Sequence, residues 1–125
     1  MGAKSPRSQN RNNQQETHMA TYTPKELRIP TAITASYATV YTATAVTGIM
    51  RTYAFNVLTT THNAFLSREA GAEATVIVEN QVITPGVPLT ASGWWVIPAS
   101  GILQVKADAI TTNAPNFGAW GYEYV

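Results

Sequence analysis

The side chains that could do chemistry in this sequence are few and stand apart from one another. Two histidines, His18 and His62, are the imidazoles that could act as a base or bind a metal. His62 stands among Thr and Asn residues with no carboxylate near it in the sequence, which predicts an exposed loop histidine. From residue 69 onward the carboxylates also stand singly, as Glu69, Glu73, Glu79, Asp108 and Glu123.

Acid–base catalysis needs two such groups at one site. Glu79 and Asp108 instead come at the predicted ends of strands, which suits solvated carboxylates. The sequence has no glycine-rich phosphate-binding loop, no nucleophile turn and no cluster with metal-ligand spacing. It therefore predicts neither an enzyme nor a bound cofactor or metal.

Aromatic side chains are the other candidates, and they crowd the last third of the chain. Exposed aromatic rings stack on sugars, or on nucleic-acid bases when cations lie nearby. Cations are scarce here, since Lys106 is the only Lys or Arg after Arg68. Core packing is the expected role of about half of these aromatics, and an interface with another chain is the expected role of the rest. They are Trp94, Trp95, Trp120, Tyr122 and Tyr124.

Composition narrows the class of protein. The chain has 125 residues, which suits a single domain, and no cysteine, which excludes disulfides and thiolate metal sites. Charged residues make up 12%, about half the usual share, so part of the surface is expected to be buried against a partner. A net charge of +1 does not suit a nucleic-acid binder. No apolar run approaches the length of a membrane span, and the N-terminus has no apolar core like that of a signal peptide.

Residues 1–24 are predicted to be an extended polar N-terminal arm, and residues 25–125 a folded domain. After Met1, residues 1–18 contain no large aliphatic or aromatic side chain, so they bury too little apolar area to offset the entropy of ordering. Met19 resembles a second start, which leaves two interpretations open. The segment is an extension without function, or it is a tether whose cations Lys4, Arg7 and Arg11 contact a neighbouring subunit.

The clearest strand pattern lies at residues 94–107. Two apolar runs flank Pro98–Gly101, a link rich in turn-forming residues, which predicts a hairpin with a positive φ at Gly101. On the second run, Leu103 and Val105 alternate with polar residues, as in a half-buried strand. Trp94 and Trp95 are neighbours in the first run, so they should point to opposite faces, with at least one nearly fully buried.

Other segments extend this pattern to about eight strands. Residues 22–30 are an extended lead-in, whose Pro24 and Pro30 favour the edge of a sheet. Residues 31–45 and 49–58 are predicted to form a second hairpin, with Arg51 stacked on an aromatic ring. Residues 59–72 are predicted to be a long loop or a short helical turn. Strands at 73–79 and 82–84 flank a turn at Asn80-Gln81, and Pro85-Gly86 predicts a type II turn. With a last strand at 117–125, the fold class is all-β, a single jelly-roll-like β-sandwich.

Residues 26–125 resemble a recurrent class of small tailed-phage virion proteins. The resemblance lies in the Thr39-Val40-Tyr41-Thr42 strand end, the strand into Asn56 with a Thr-rich loop after it, and the Pro85-Gly86 turn. The runs Trp95–Ala99, Ile102–Ala107 and Gly121–Tyr124 complete it. Members of this class are similar to head decoration (cement) proteins or to tail and neck accessory proteins. The resemblance implies a β-sandwich located on the virion, which binds its own copies and phage capsid or tail proteins without catalysing a reaction.

A carbohydrate-binding module on a tail fibre or tail tip is the alternative, with Trp94 or Trp95 and Trp120 as stacking platforms for a glycan. An accessory domain of an enzyme is a third interpretation. Neither nucleic acid nor a membrane is an expected partner. The interface candidates are therefore Lys4, Arg7, Arg11, Trp94, Trp95, Trp120, Tyr122 and Tyr124.

Overall fold

The structure, a computed structural model, describes residues 21–71, 73–108 and 113–125. They form eight β-strands, which confirms the predicted all-β sandwich. The strands are β1 (Tyr22–Ala32), β2 (Ala38–Thr42), β3 (Thr47–Asn56), β4 (His62–Ala70), β5 (Glu73–Ile83), β6 (Leu89–Ile97), β7 (Ile102–Ala107) and β8 (Asn116–Tyr124). The first strand begins at Tyr22, so it contains residues 22–24, which the sequence assigns to the arm.

The strands form two antiparallel sheets of four. The front sheet has the order β1-β8-β3-β6 and the back sheet the order β2-β7-β4-β5. Every connection crosses from one sheet to the other, except the one between β4 and β5. This strand order is that of a jelly roll, in which two Greek keys form the sandwich. The edge position predicted for the Pro-containing first strand is confirmed, because β1 lies at the edge of the front sheet.

The core lies between the inner faces of the two sheets. Strand β7 shows how the sequence specifies it, because Leu103, Val105 and Ala107 are buried while Gln104 and Lys106 between them are half-buried. The largest side chains of this core with almost no exposure are Phe55, Phe117, Met50, Leu66, Ile83, Ile97, Leu103 and Val105. The predicted alternation in β7 is therefore confirmed.

Both predicted hairpins are wrong, because their strands lie in different sheets. Strand β2 pairs with β7 and β3 with β8 and β6, while β6 pairs with β3 and β7 with β2 and β4. The link after β6 carries the chain between the sheets, and its residue with positive φ is Ser100 (71°) rather than Gly101. The Ser100 N–H donates to the Ala43 carbonyl at 2.6 Å. Turn-forming residues indicate that the chain reverses, but they do not indicate which strand the next one pairs with.

The prediction of a loop or helical turn at 59–72 is also wrong. Strand β4 occupies His62–Ala70 and is an inner strand of the back sheet, between β7 and β5. Its inward positions carry His62, Ala64 and Leu66, all buried. Only one of these is a large aliphatic side chain, so the alternation was too weak to indicate a strand.

Residues 73–83 form one continuous strand, so the turn predicted at Asn80-Gln81 is wrong. Asn80 has a φ of 55° and lies in a β-bulge, since Ala64 pairs with Gln81 while Leu66 pairs with Val78. Asn tolerates this left-handed conformation in a bulge as it does in a turn. The turn at Pro85-Gly86 is confirmed: Gly86 has a φ of 78° and the Val87 N–H donates to the Thr84 carbonyl at 3.0 Å.

Side-chain hydrogen bonds join the two sheets at Tyr41 and at Arg68, whose Nη1 donates to the Val96 carbonyl of β6 at 2.7 Å. The Tyr41 hydroxyl of β2 donates to the Glu123 carboxylate of β8 at 2.6 Å. Burial, and after it the adjacent Glu123 carboxylate, raise the pKa of Tyr41 above its ordinary value of 10.0. The hydroxyl therefore keeps its proton in the folded state at a pH at which the unfolded chain loses it.

This raised pKa predicts a loss of stability at alkaline pH. The contribution of Tyr41 to the free energy of unfolding is fully present below pH 10.0. It falls as the pH rises above that value, because the unfolded state then binds fewer protons than the folded state. Tyr41→Phe should cost about 1–3 kcal/mol at neutral pH through the lost hydrogen bond, and should make the alkaline decline shallower. Urea denaturation of both proteins across this pH range measures the two effects. Alkaline slopes that are equal in the two proteins would contradict this assignment.

Candidate functional site

The outer face of the front sheet gathers most of the predicted aromatic candidates. On β8, Phe117 and Ala119 point into the core, so the alternate positions Trp120, Tyr122 and Tyr124 point outward. Tyr22 of the neighbouring strand β1 and Trp94 of β6 share this face. We call the outward side chains Tyr22, Trp94, Trp120, Tyr122 and Tyr124 the aromatic face.

One end of the aromatic face is a cluster of tyrosines. Tyr22 lies directly opposite Tyr124 in the β1–β8 pair. Its ring centroid is 5.0 Å from that of Tyr124 and 6.1 Å from that of Tyr122, the latter in an edge-to-face arrangement. Such contacts hold the rings in fixed orientations. Because Tyr22 remains 51% exposed, the cluster still offers ring surface to a partner.

Trp120 lies at the middle of the aromatic face. Its indole N–H donates to the Glu26 carboxylate at 2.9 Å, and Glu26 is the residue directly opposite on β1. The six-membered part of the ring lies over Gly118, where a Cβ would come within 2.7 Å of it. The hydrogen bond and this close approach fix one orientation of the indole.

Trp94 points outward beside a bulge in the pairing of β6 with β3. Met50 pairs with Trp95 and Thr52 with Ser92, so Gly93 and Trp94 together face one residue of β3, Arg51. The Arg51 Nε–H donates to the Gly93 carbonyl at 2.6 Å, and its guanidinium carbon lies 5.1 Å from the Trp94 ring centroid. The predicted stacking of Arg51 on an aromatic ring is confirmed. Trp94 is 53% exposed, so most of its ring is available for contact.

A shallow open groove of about 250 Å³ lies on the outer face of the front sheet, beside Trp120 and Tyr122. It is smaller than the pockets that hold drug-sized ligands, and it has room for about one ring of a bound molecule. The groove combines aromatic surface with the Arg51 guanidinium and the Thr52 hydroxyl as hydrogen-bonding groups. It is lined by Pro24, Arg51, Thr52, Trp120, Gly121 and Tyr122.

Trp95 does not belong to the aromatic face. It points inward, packs against the core and lies 5.5 Å from the Tyr53 ring, while Trp94 points outward, as strand alternation predicts. The expectation that one of the two is nearly fully buried is wrong, because Trp95 is only partly buried. Its ring leans over Gly93 of the edge strand β6, where the sandwich leaves it partly open.

Three further interface candidates, Lys4, Arg7 and Arg11, lie outside the described residues, as does His18. Two members of the site, Tyr22 and Glu26, are not among the residues predicted from the sequence. Tyr22 and Glu26 were assigned to the arm and to the domain's lead-in, and only their pairing with β8 brings them to the aromatic face. Tyr22 and Glu26 share a strand face with Pro24, because the three stand at every second position along the chain. This spacing was the one sequence feature that could have placed them on the site, and the two prolines in the segment obscured it.

The prediction of an exposed loop histidine at His62 is wrong. Its side chain is 4% exposed, and its Nδ1 lies 2.8 Å from Oδ1 of Asp108. The β4–β7 pairing, in which Ala64 lies opposite Ala107, brings these distant residues together. The buried Nε2 makes no hydrogen bond within the described part of the chain, so no hydroxyl there completes a Ser-His-Asp arrangement.

Among residues 21–71, 73–108 and 113–125, no group of three or more His, Cys, Asp or Glu side chains could hold a metal ion. The same residues contain no helix long and apolar enough to cross a membrane.

No protein-family model and no curated protein sequence matches this chain. Among solved structures, it is similar to a chain from the structure of infectious bursal disease virus, Gt strain, with a TM-score of 0.47 and 8% sequence identity. The similarity covers 86% of this chain and 32% of that one, so this chain spans about a third of its length. The likeness concerns the fold alone. The jelly-roll topology and the aromatic face described above come from this chain's own strand pairing and side chains.

Proposed function

We propose that this protein is a non-enzymatic structural component of a bacteriophage particle, of the capsid decoration or cement type. It would bind the virion surface and its own copies through the aromatic face. The observation that carries this proposal is the exposure of Trp94 and Tyr22, at 53% and 51%, on the same sheet face as Trp120 and Tyr122. Jelly rolls are common in viral capsids, which adds a fold-level analogy.

The chemistry of this face suits contact with a protein. Trp, Tyr and Arg are the residues most often responsible for binding energy in protein interfaces, and here Arg51 stacks on Trp94 beside Trp120. Hydrogen bonds within the chain orient both Arg51 and Trp120, so binding costs little side-chain entropy.

Association with purified particles tests the proposal. Particles produced by the host strain that carries the gene are banded on a density gradient, with the wild-type chain or a variant added in trans. Wild type should band with the particles, whereas Trp94→Ala and Trp120→Ala should bind at least about tenfold more weakly. Leu58→Ala, a truncation of a side chain that is 84% exposed elsewhere, is the matched control. Equal binding by all four proteins would refute the role of this face.

Residues 1–21, which precede β1, form the second part of the proposal, as an attachment arm whose cations Lys4, Arg7 and Arg11 contact carboxylates of a neighbour. Each surface ion pair contributes at most about 1 kcal/mol, so the arm would act through several weak contacts. A chain that begins at Met19 should keep its melting temperature and lose particle binding by about 10- to 100-fold. Scanning calorimetry and the gradient experiment measure the two effects. Undiminished binding would make residues 1–18 dispensable and leave attachment to the aromatic face.

Carbohydrate binding is the second candidate function, and the groove beside Trp120 and Tyr122 favours it. An aromatic wall with Arg51 and Thr52 alongside offers both a stacking surface and hydrogen-bonding groups for a sugar ring. A glycan array with the full chain tests it. Dose-dependent binding to a bacterial surface sugar that Trp120→Ala abolishes and Leu58→Ala preserves would favour a tail-fibre module over a decoration protein.

A further inference from the structure

We propose that two copies of this chain associate face to face through the aromatic face, with a two-fold axis that runs along β8 past Trp120. In this dimer Glu26 of each copy pairs with Arg51 of the other. The proposal deepens the proposed function by naming a partner for the aromatic face, and it depends on that face but not on the presence of a virus particle.

The register of the front sheet provides the first argument. Strands β1 and β3 flank β8 on its two sides, and both run antiparallel to it. Trp120 lies opposite Glu26 on one side and opposite Thr52 on the other, with Arg51 next to Thr52 in the bulge. Neighbouring strands are about 4.8 Å apart. The backbones of Glu26 and Arg51 therefore lie at similar distances on either side of β8, and both side chains are on the outer face.

This arrangement is complementary to itself. A half-turn about an axis parallel to β8 in the plane of contact places β1 of one copy over β3 of the other, and β8 over β8. Each Glu26 then faces the Arg51 of the other copy, and the two Trp120 rings meet near the axis. Stacked sheets cross at about 30°, which shifts groups so close to the axis by only a few ångströms, within the reach of Arg and Glu side chains. An isologous interface of this kind closes as a dimer.

Both charged groups keep capacity for such a pair. Glu26 is exposed, and its hydrogen bond from Trp120 uses Oε2. Arg51 is also exposed, and its hydrogen bond to Gly93 uses Nε. Neither residue forms an ion pair within the part of the chain that the structure describes. The second carboxylate oxygen and the terminal guanidinium nitrogens match the geometry of a charge-assisted Arg–carboxylate contact.

The β1 edge of the front sheet is protected against the addition of another strand. Strand β1 is the edge beside β8, and Pro24 and Pro30 interrupt its row of backbone donors. Its pairing with β8 is also irregular between Glu26 and Arg28 and between Arg28 and Thr31. Prolines and bulges prevent another strand from adding to an edge. In the face-to-face dimer, Trp94 lies one strand beyond β3 and would cover this protected edge of the second copy.

Reversal of each charge provides a specific test. Sedimentation equilibrium of the full chain at micromolar concentrations should give a dimer mass for wild type and a monomer mass for Arg51→Glu and for Glu26→Arg. Each of these reversals places like charges together twice, which should weaken association on the order of 100-fold or more. A mixture of the two variants should recover a heterodimer, because one chain then brings two carboxylates and the other two guanidinium groups. The chain with both reversals should also dimerise.

The matched control is Glu73→Arg, an exposed charge reversal at the start of β5 in the back sheet, which should sediment as wild type does. Circular dichroism verifies that each variant is folded. If a charge-reversed variant does not fold, Arg51→Gln or Glu26→Gln takes its place, and each of these should weaken dimerisation about tenfold. A monomeric wild type at tens of micromolar overturns the proposal. So does a dimeric wild type whose mixed reversals stay monomeric. Because no particle is present, failure here leaves particle binding to be judged by the gradient experiment.

Discussion

Phe117→Ala is expected to lower the free energy of unfolding by about 3–5 kcal/mol, a large part of the stability of a small domain. Phe117 has no exposed surface and its ring centroid lies 4.8 Å from that of Phe55, directly opposite on β3. The two rings lie between the sheets, so truncation of Phe117 leaves a cavity beside the Phe55 ring. Urea denaturation monitored by far-ultraviolet circular dichroism measures the loss.

The control for this substitution is Val87→Ala, which truncates an apolar side chain that is 64% exposed after the Pro85-Gly86 turn. Its effect should stay within about 0.5 kcal/mol. Losses of equal size in the two variants would mean that the core does not lie where the strand pairing puts it. A Phe117→Leu variant should lose less than Phe117→Ala, since it fills part of the cavity.

Gly121→Ala is expected to destabilise the protein more than any other added methyl group in the front sheet. It should lower the free energy of unfolding by about 3 kcal/mol or more. A Cβ at this position would overlap the Ile49 carbonyl oxygen and lie 3.0 Å from the Arg51 nitrogen. Both neighbours are backbone of β3, so the strand must move to make room. The movement would also displace Arg51 and Trp120, between which Gly121 lines the groove.

Gly71→Ala separates steric overlap from the general effect of replacing glycine. Gly71 has a φ of 64°, and nothing lies within 4 Å of an added Cβ, so only the conformational strain applies there. That strain should cost about 1 kcal/mol. Thermal denaturation of both variants compares the two sites. If Gly121→Ala proves no more destabilising than Gly71→Ala, the close β3–β8 approach described above is incorrect.

The fold class and several local features could be predicted from the sequence because they depend on short-range signals. Alternation of Leu103 and Val105 indicates a half-buried strand, and Pro85-Gly86 has one favoured turn geometry. Strand pairing could not be predicted in the same way. The links before β3 and after β6 contain turn-forming residues whether the chain returns to its own sheet or crosses to the other one, and here it crosses.

The candidate site likewise contains residues that the sequence places locally and residues that only strand pairing brings together. Trp120, Tyr122 and Tyr124 share one parity of a single strand, so their common face is specified locally. Arg51 and Glu26 join them only through the register of β3 and β1 with β8, which involves residues far apart in the chain. His62 and Asp108 are 46 residues apart, and the sequence placed no carboxylate near the histidine. Contacts of this kind require the tertiary structure.

The central claim is that the aromatic face is the surface by which this protein joins an assembly. A cryo-electron microscopy map of the intact particle, at a resolution that shows aromatic side chains, tests it most directly. We expect density of a second copy or of a shell protein against Trp94 and Trp120, with the outer face of the back sheet open to solvent. A map in which the aromatic face is open to solvent and the back sheet contacts the particle would contradict the claim.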